Sequence, residues 1–296
     1  MCLRVSLYAR REPRPATLSI LIVLWLLCPR LLQAELFQHE AKVVSIENLT
    51  HDTKLIRFQL IDSKAFKFTP GQYVFLKVPD DYVREWNERY KTSHKEVTRP
   101  YSFASSSSKL PLFDMIIKLA SPPRGKDVPP GLASSFIHQR LQVGDTLRIS
   151  QPFGELFLRK DTGRPVLIVA GGTGAAPFIS LLQYWFENEF DRNNEIYFYF
   201  GVRAKRDLFF HEKFQEWARE KKNFHYVPAL SNPDPGDDWK GETGYIQLVV
   251  DKFLKGPSDA DAYLAGPPIM VTETVKVLDA KGITKDHIHY DEIEVK

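Results

Sequence analysis

The stretch RPVLIVAGGTGAAPFISLL, from Arg164 to Leu182, sets Gly171, Gly172 and Gly174 between an apolar strand-like run and a helical one. Glycines at such a turn let backbone N–H groups close on a pyrophosphate at the helix N-terminus, where the helix dipole favours negative charge. The usual dinucleotide fingerprint has a third Gly or Ala, whereas this one runs Gly172-x-Gly174-x-x-Pro177. Pro177 falls in the first helical turn, where its missing N–H costs little. Alone, the motif implies a phosphate-bearing nucleotide and does not say which.

A second constellation is Arg99-Pro100-Tyr101-Ser102. A cation, an aromatic ring and a hydroxyl on one strand suit a flavin: charge for the phosphate, a ring to stack on isoalloxazine, an O–H for the reactive N5. An ordinary strand explains the same residues. A third piece, PPGLASSFI, opens a helix with Gly131, Ser134 and Ser135 at the end that attracts phosphate.

Other chemistries find little support. The only cysteines, Cys2 and Cys28, lie near the N-terminus, so the rest of the chain has no disulfide, thiol nucleophile or Cys-ligated cluster. Electron chemistry would then need an organic cofactor. No metal site is expected: His211-Glu212 lacks the second His of a zinc-protease helix, and His287 and His289 alternate on a strand without ligand companions. Acidic pairs are scattered and no Ser/His/Asp arrangement suggests a hydrolase. A net charge of +3, with no basic block interleaved with aromatics, argues against nucleic acid.

The elements that must position these motifs follow from periodicity. AKVVSIENLT, TKLIRFQLID, GQYVFLKVP, RPYSFASS, LFDMIIKLA and DTLRISQPFG read as six short strands, several alternating apolar and polar residues as half-buried antiparallel strands do. With the one helical piece GLASSFIHQRL they predict a small closed antiparallel six-stranded β-barrel over residues 35–162. From Pro165 the rhythm becomes strand–helix: VLIVAG, EIYFYFGV, FHYVPAL, AYLAGP and HIHYDEI alternate with amphipathic runs. This predicts an α/β domain with a five-stranded parallel sheet over 163–296. Between the barrel strands, Tyr82 to Val97 is a polar insertion read as a solvated helix, with a partner-docking surface as the functional alternative.

Residues 1–34 carry Arg4, Arg10, Arg11 and Arg14 before the apolar run ATLSILIVLWLLC. That run is shorter than the roughly 18–20 residues that cross a bilayer comfortably. Signal peptide and membrane anchor both remain open.

Taken in order, RPYS, GTGAAP and AGPPIM resemble the ferredoxin–NADP reductase superfamily, whose pattern is a flavin barrel with R-x-Y-S, a nucleotide domain with G-x-G-x-x-P and a C-G-P-P motif near the C-terminus. The match runs from about Ala41 to Ile293. VPDDYVREW, LASPPRGKDVPPGLASS, GVRAKRDLFF and DDWKGETGYI resemble one branch, the reductase half of the F subunit of the sodium-translocating NADH:quinone oxidoreductase. That protein also carries a [2Fe–2S] ferredoxin domain, which the cysteine count here excludes.

The resemblance implies FAD on the barrel and NADH on the second domain. Hydride would pass from NADH to flavin N5, and electrons would then leave to a separate acceptor: a ferredoxin, a haem protein, a quinone or a small molecule. Residue by residue, Arg99 would hold the flavin phosphate, Tyr101 would stack on isoalloxazine and Ser102 would face N5, with Phe103 and Lys118 also in the flavin-binding set. Gly131, Ser134 and Ser135 would take the flavin pyrophosphate; Gly172, Thr173 and Gly174 would take NADH. Gly266 and Pro267 would lie beneath the nicotinamide, and Asp291 and Glu292 would close over the flavin's other face. Ser102, Tyr101, Gly266 and Glu292 are the expected catalytic positions.

Two departures stand out: Ala265 replaces the family Cys, and Ile293 its C-terminal aromatic. Arg203, Lys205 and Arg206 follow the second strand, where cations can accept a ribose 2′-phosphate. The branch it resembles has the same basic character there and uses NADH, so NADH is favoured over NADPH. The competing class is a module of this fold that senses NADH or docks a membrane partner, with turnover lost. Ala265 leans that way, and the intact RPYS and GTGAAP lean against it. Arginines before the apolar run would place the body outside the cytoplasm. NADH is a cytoplasmic reductant, and the body is therefore expected tethered to the membrane on the NADH side, with export after cleavage as the alternative.

Overall fold

The computed structural model describes residues 36–62, 66–123, 125–160, 162–256 and 258–291. The leader over 1–34, and Glu292 and Ile293, lie outside the described residues. Six strands form the first sheet: β1 (His39–Asn48), β2 (Thr53–Leu60), β3 (Tyr73–Lys77), β4 (Thr98–Ser102), β5 (Leu112–Lys118) and β6 (Thr146–Ile149). They pair antiparallel in the order β4-β3-β6-β1-β2-β5. A bridge between Phe103 and Met115 joins the two outer strands, closing the barrel. The alternation read from the sequence is the cause: Ala41 and Val43, Ile56, Phe58 and Leu60, and Phe113, Met115 and Ile117 all turn inward to one core.

Two helices accompany the barrel, α1 (Asp80–Tyr90) and α2 (Leu132–Gln139). The polar insertion does form a helix, with Asp80 and Asp81 in the favourable first turn. It is only half solvated. Val83 and Trp86 are buried, and Tyr82 meets Phe136 of α2 edge-on at 5.3 Å. The aromatic residues that a docking surface would use are thus spent on holding α1 to the barrel.

The second sheet comprises β7 (Val166–Gly171), β8 (Ile196–Val202), β9 (Phe224–Leu230), β10 (Glu242–Thr243), β11 (Asp261–Ala265) and β12 (Ile288–His289). Its order is β10-β9-β8-β7-β11-β12, all parallel. The five expected strands are present; β10 is a sixth, two-residue edge strand too short to show a period. Helices α3 (Ala175–Glu187), α4 (His211–Glu220), α5 (Ile246–Phe253) and α6 (Pro268–Ala280) cover both faces. Along β7, Val166, Ile168 and Ala170 pack toward α3 and α4, while Leu167 and Val169 pack toward α5 and α6. A strand buried on both sides has no reason to alternate.

The two sheets share an interface that explains two oddities of the sequence. LFDMIIK does not alternate because β5 is buried on both faces: its odd positions fill the barrel, and Ile116 joins the core around α3. RPYSFASS stops being a strand at Ser102 because the serines after it bind α3. The Ser180 hydroxyl donates to the Ser105 carbonyl (2.6 Å), Ser106 N–H donates to Gln183 Oε1 (3.1 Å), and the hydroxyls of Ser106 and Ser108 donate to Glu187 Oε2 (2.5 and 2.6 Å). Asp114, 6% exposed, is held bidentate by Arg57 at 2.7 and 2.9 Å on the same face.

Candidate functional site

In the second sheet the chain runs outward through β7, β8 and β9, then returns to the other side of β7 with β11. The strand order reverses between β7 and β11, and open α/β sheets bind ligands outside the carboxyl ends of their strands at such a point. Both candidate nucleotide motifs stand there: Gly172–Gly174 follows β7, and Gly266–Pro267 follows β11.

The two turns interlock. A Cβ on Gly174 would lie 2.7 Å from Gly266 Cα and against the Ala265 carbonyl. A Cβ on Gly171 would meet Met270 Sδ at 2.6 Å and Pro267 Cδ at 2.9 Å. Gly172 differs in kind: its φ is +53°, and nothing within 4 Å would meet its Cβ. Gly174 is small because protein backbone crosses it; the space at Gly172 is open to the cleft.

That cleft, about 1560 Å³, is lined from the barrel by Pro100, Tyr101, Ser102 and Lys118, and from the sheet by Gly172, Thr173, Gly174, Arg203, Gly266, Pro267 and Asp291. Sites for one drug-sized ligand run about 300–1,000 Å³, so the room here exceeds a single small ligand. Tyr101 is partly buried and packs on the barrel core; burial pushes its phenol well above the usual tyrosine range, with Arg99 opposing. The phenol therefore stays protonated and keeps a donor at neutral pH.

Asp291 docks on the barrel, accepting a hydrogen bond from Glu155 N–H (3.4 Å), and burial raises its carboxyl above the ordinary range. A Cβ on Gly154, at φ +101°, would approach Asp291 Oδ2 to 2.9 Å, so this glycine makes room for the C-terminal segment.

Other expected residues are placed differently. Phe103 departs from the ligand-contact expectation: it is fully buried and its ring stacks on Phe68 at 3.8 Å, so it acts through core packing. Arg99 lies outside the cleft lining, with its guanidinium on the Thr98 carbonyl at 2.8 Å. Gly131, Ser134 and Ser135 also lie outside the lining, at the N-terminus of α2. The Ser134 hydroxyl is already engaged, donating to the Gly131 carbonyl (2.9 Å) and accepting from Ala120 N–H (3.1 Å). Ser135 Oγ is buried with no partner among the described residues. Arg206 is outside the lining and pairs with Asp234.

Lys118 reaches Asp52 at 3.0 Å. Burial raises the Asp52 carboxyl, but Lys118, Thr53 and Thr50 outweigh it and leave the group below its usual value. His51, Asp52 and Asp207 have ligand atoms within 4.8 Å of one another. With Asp52 occupied by an ammonium and two hydroxyls, a metal ion there would have to displace Lys118.

Some lining residues escape sequence reasoning. Tyr245 (64% exposed), Ile269 (70%) and Tyr290 (38%) present apolar surface to the cleft. Nothing in the sequence marks them, because their exposure beside the cleft is set only by the fold.

Comparison with known proteins agrees with this geometry. A family model for the oxidoreductase FAD-binding domain matches residues 40–157, and one for the oxidoreductase NAD-binding domain matches 168–276. The chain is 32% identical over 277 residues to the F subunit of the Na(+)-translocating NADH-quinone reductase of Serratia proteamaculans, covering 86% of this chain and 67% of the relative. To the Pseudomonas aeruginosa counterpart it is 33% identical over 280 residues, with the same coverage. Among solved structures, a ferredoxin reductase in carbazole 1,9a-dioxygenase superposes with a TM-score of 0.66 at 27% identity, covering 86% of this chain and 68% of that one.

Proposed function

The chain belongs to the ferredoxin–NADP reductase superfamily and is an NADH-dependent FAD oxidoreductase, and on that premise we propose how its own residues bring the two cofactors together. The division falls at residues 35–162 for FAD and 163–296 for NADH. When bound, FAD would supply the redox chemistry, acceptance of a hydride from NADH and release of electrons, singly or in pairs, to a separate acceptor. Everything else is positioning.

Tyr101 presents its ring for stacking and Ser102 its hydroxyl beside it, both on a strand held between β3 and the bridge to β5. Arg99 and Lys118 offer positive charge to the phosphates, each needing only a side-chain movement from its present partner. The N-terminus of α2 contributes backbone N–H groups. The unpartnered Ser135 Oγ supports a polar ligand atom there.

For NADH, Gly172, Thr173 and Gly174 hold the pyrophosphate and Arg203 the ribose end. Gly266 and Pro267 form the floor on which the nicotinamide ring is set against the flavin side. Asp291 covers the flavin's other face. The single observation that carries this reading is one cleft lined by both Pro100–Ser102 and the two interlocked glycine turns.

The decisive experiment uses the full chain. The purified protein should be yellow, contain FAD and no iron, and bleach anaerobically on adding NADH. Ferricyanide, a quinone and a ferredoxin should then be compared as acceptors. The relatives are named for reduction of quinone and of ferredoxin, and an acceptor of one of those classes is what we propose here. A flavin-bearing preparation that NADH does not bleach would favour a nucleotide-sensing module.

We also propose that residues 1–34 tether the body to a membrane on its NADH-containing side. Among the described residues no helix is long and apolar enough to cross a bilayer. In intact cells the body should resist external protease and yield only after permeabilisation. Digestion without permeabilisation would reverse the orientation.

A further inference from the structure

Three cations follow β8, and the sequence leaves them with two meanings: a site for the 2′-phosphate of NADPH, or ordinary surface charge. The end of β8 is where doubly wound nucleotide domains read the adenosine ribose. Only Arg203 of the three lines the cleft. Arg206 is turned onto Asp234, its Nε 3.4 Å from Oδ2.

That partner belongs to the loop SNPDPGDDW, which leaves β9 and is stitched to the segment after β8. Ser231 N–H donates to the Val202 carbonyl (2.9 Å) and Asn232 N–H to the Arg203 carbonyl (2.8 Å). Asp237 Oδ2 accepts from the N–H groups of Asp234 (3.0 Å) and Lys205 (3.3 Å). Trp239 anchors the far end, its indole N–H on the Glu242 carbonyl at 2.8 Å and its ring 5.9 Å from that of His211. A third carboxylate, Asp207, lines the cleft and accepts from Ala204 N–H at 2.9 Å. Asp207, Asp234 and Asp237 thus stand among the three cations, Asp234 holding the Arg206 side chain and the other two accepting from backbone N–H groups. The backbone donors of Ala204 and Lys205, which an added phosphate would want, already serve carboxylates.

We propose that Asp234 and Asp237 are specificity-determining residues that make this cleft reject a nucleotide bearing a 2′-phosphate, by holding Arg206 and cancelling the positive field after β8. The inference rests on the NADH reading above and adds what enforces it. A nucleotide with a free 2′-hydroxyl brings no extra charge and meets no penalty. A 2′-phosphate brings nearly two negative charges to a segment where Asp207, Asp234 and Asp237 add three of their own, and it must compete with Asp234 for Arg206.

The test is the FAD-loaded full chain with Asp234→Asn, and with Asp234→Asn and Asp237→Asn together. Stopped-flow bleaching of the flavin should give a kcat/KM for NADPH at least tenfold higher in the double variant, falling again with added salt. The value for NADH should stay within twofold. Isothermal calorimetry with 2′,5′-ADP should show no binding to the wild type at 1 mM and clear binding to the double variant, with 5′-AMP unchanged. Asp234→Asn alone keeps the Asp237 hydrogen bonds and should show a smaller shift in the same direction; it decides the matter if the double variant does not fold. A NADPH-to-NADH ratio unchanged within twofold, with 2′,5′-ADP still excluded, would overturn the inference while leaving NADH oxidation intact. Failure of the wild type to react with NADH would strike the reductase reading instead, and the calorimetry would still decide on the loop.

Discussion

Gly174→Val is expected to destroy NADH turnover while sparing FAD. The backbone at Gly174, with φ −60° and ψ −12°, suits any residue, so conformation is no obstacle. Space is. A Cβ there meets the Ala265 carbonyl and the Gly266 Cα, neither of which can rotate away as a side chain would. Overpacking against backbone costs about 2–3 kcal/mol, which for this chain length corresponds to a fall in Tm of about 5–10 °C. The larger effect is geometric. The turns after β7 and β11 must separate, and displacing a reacting group by an ångström can cost about 100-fold in rate. We expect flavin reduction by NADH to fall at least about 100-fold, with FAD content and the barrel preserved. A variant with wild-type Tm and an unchanged rate would show that the interlock does not position the nucleotide.

Gly172→Ala is the informative contrast. Its φ of +53° charges a non-glycine residue about 1–2 kcal/mol, but the Cβ meets no protein atom. The fold should survive and nucleotide affinity should drop, because the methyl group enters the space proposed for the pyrophosphate.

Tyr101→Ala carries the second large effect, on FAD. Roughly 80 Å² of ring surface lost from the stack, at about 25 cal/mol per Å², is about 2 kcal/mol, or roughly a 30-fold weaker Kd. Tyr101 also packs against the barrel core, so Tyr101→Phe serves as the control that keeps the ring. The Phe variant should hold FAD within about threefold of wild type and the Ala variant should elute largely colourless. Full flavin occupancy with an unaltered visible spectrum in Tyr101→Ala would remove Tyr101 from the flavin site.

Much of this molecule is written in local pattern. Two-residue alternation in β1 and β2 and an unbroken apolar run in β7 distinguish a half-buried antiparallel strand from a parallel one covered on both faces, because burial acts on each residue where it stands. The order of RPYS, GTGAAP and AGPPIM fixes the family, and confining cysteine to Cys2 and Cys28 removes thiol chemistry from everything after them. Tertiary structure alone decided which surfaces meet. It crossed Gly174 with the backbone of Ala265 and Gly266 and left Gly172 open to the cleft, though the motif treats them alike. It buried Phe103, engaged the Ser134 hydroxyl, turned the aromatic face of α1 inward and gave Arg206 a carboxylate from the loop after β9. Apart from the Ser134–Gly131 bond, each of these depends on an atom supplied by a segment distant in sequence. Periodicity reports which face of an element is covered but carries no information about what covers it.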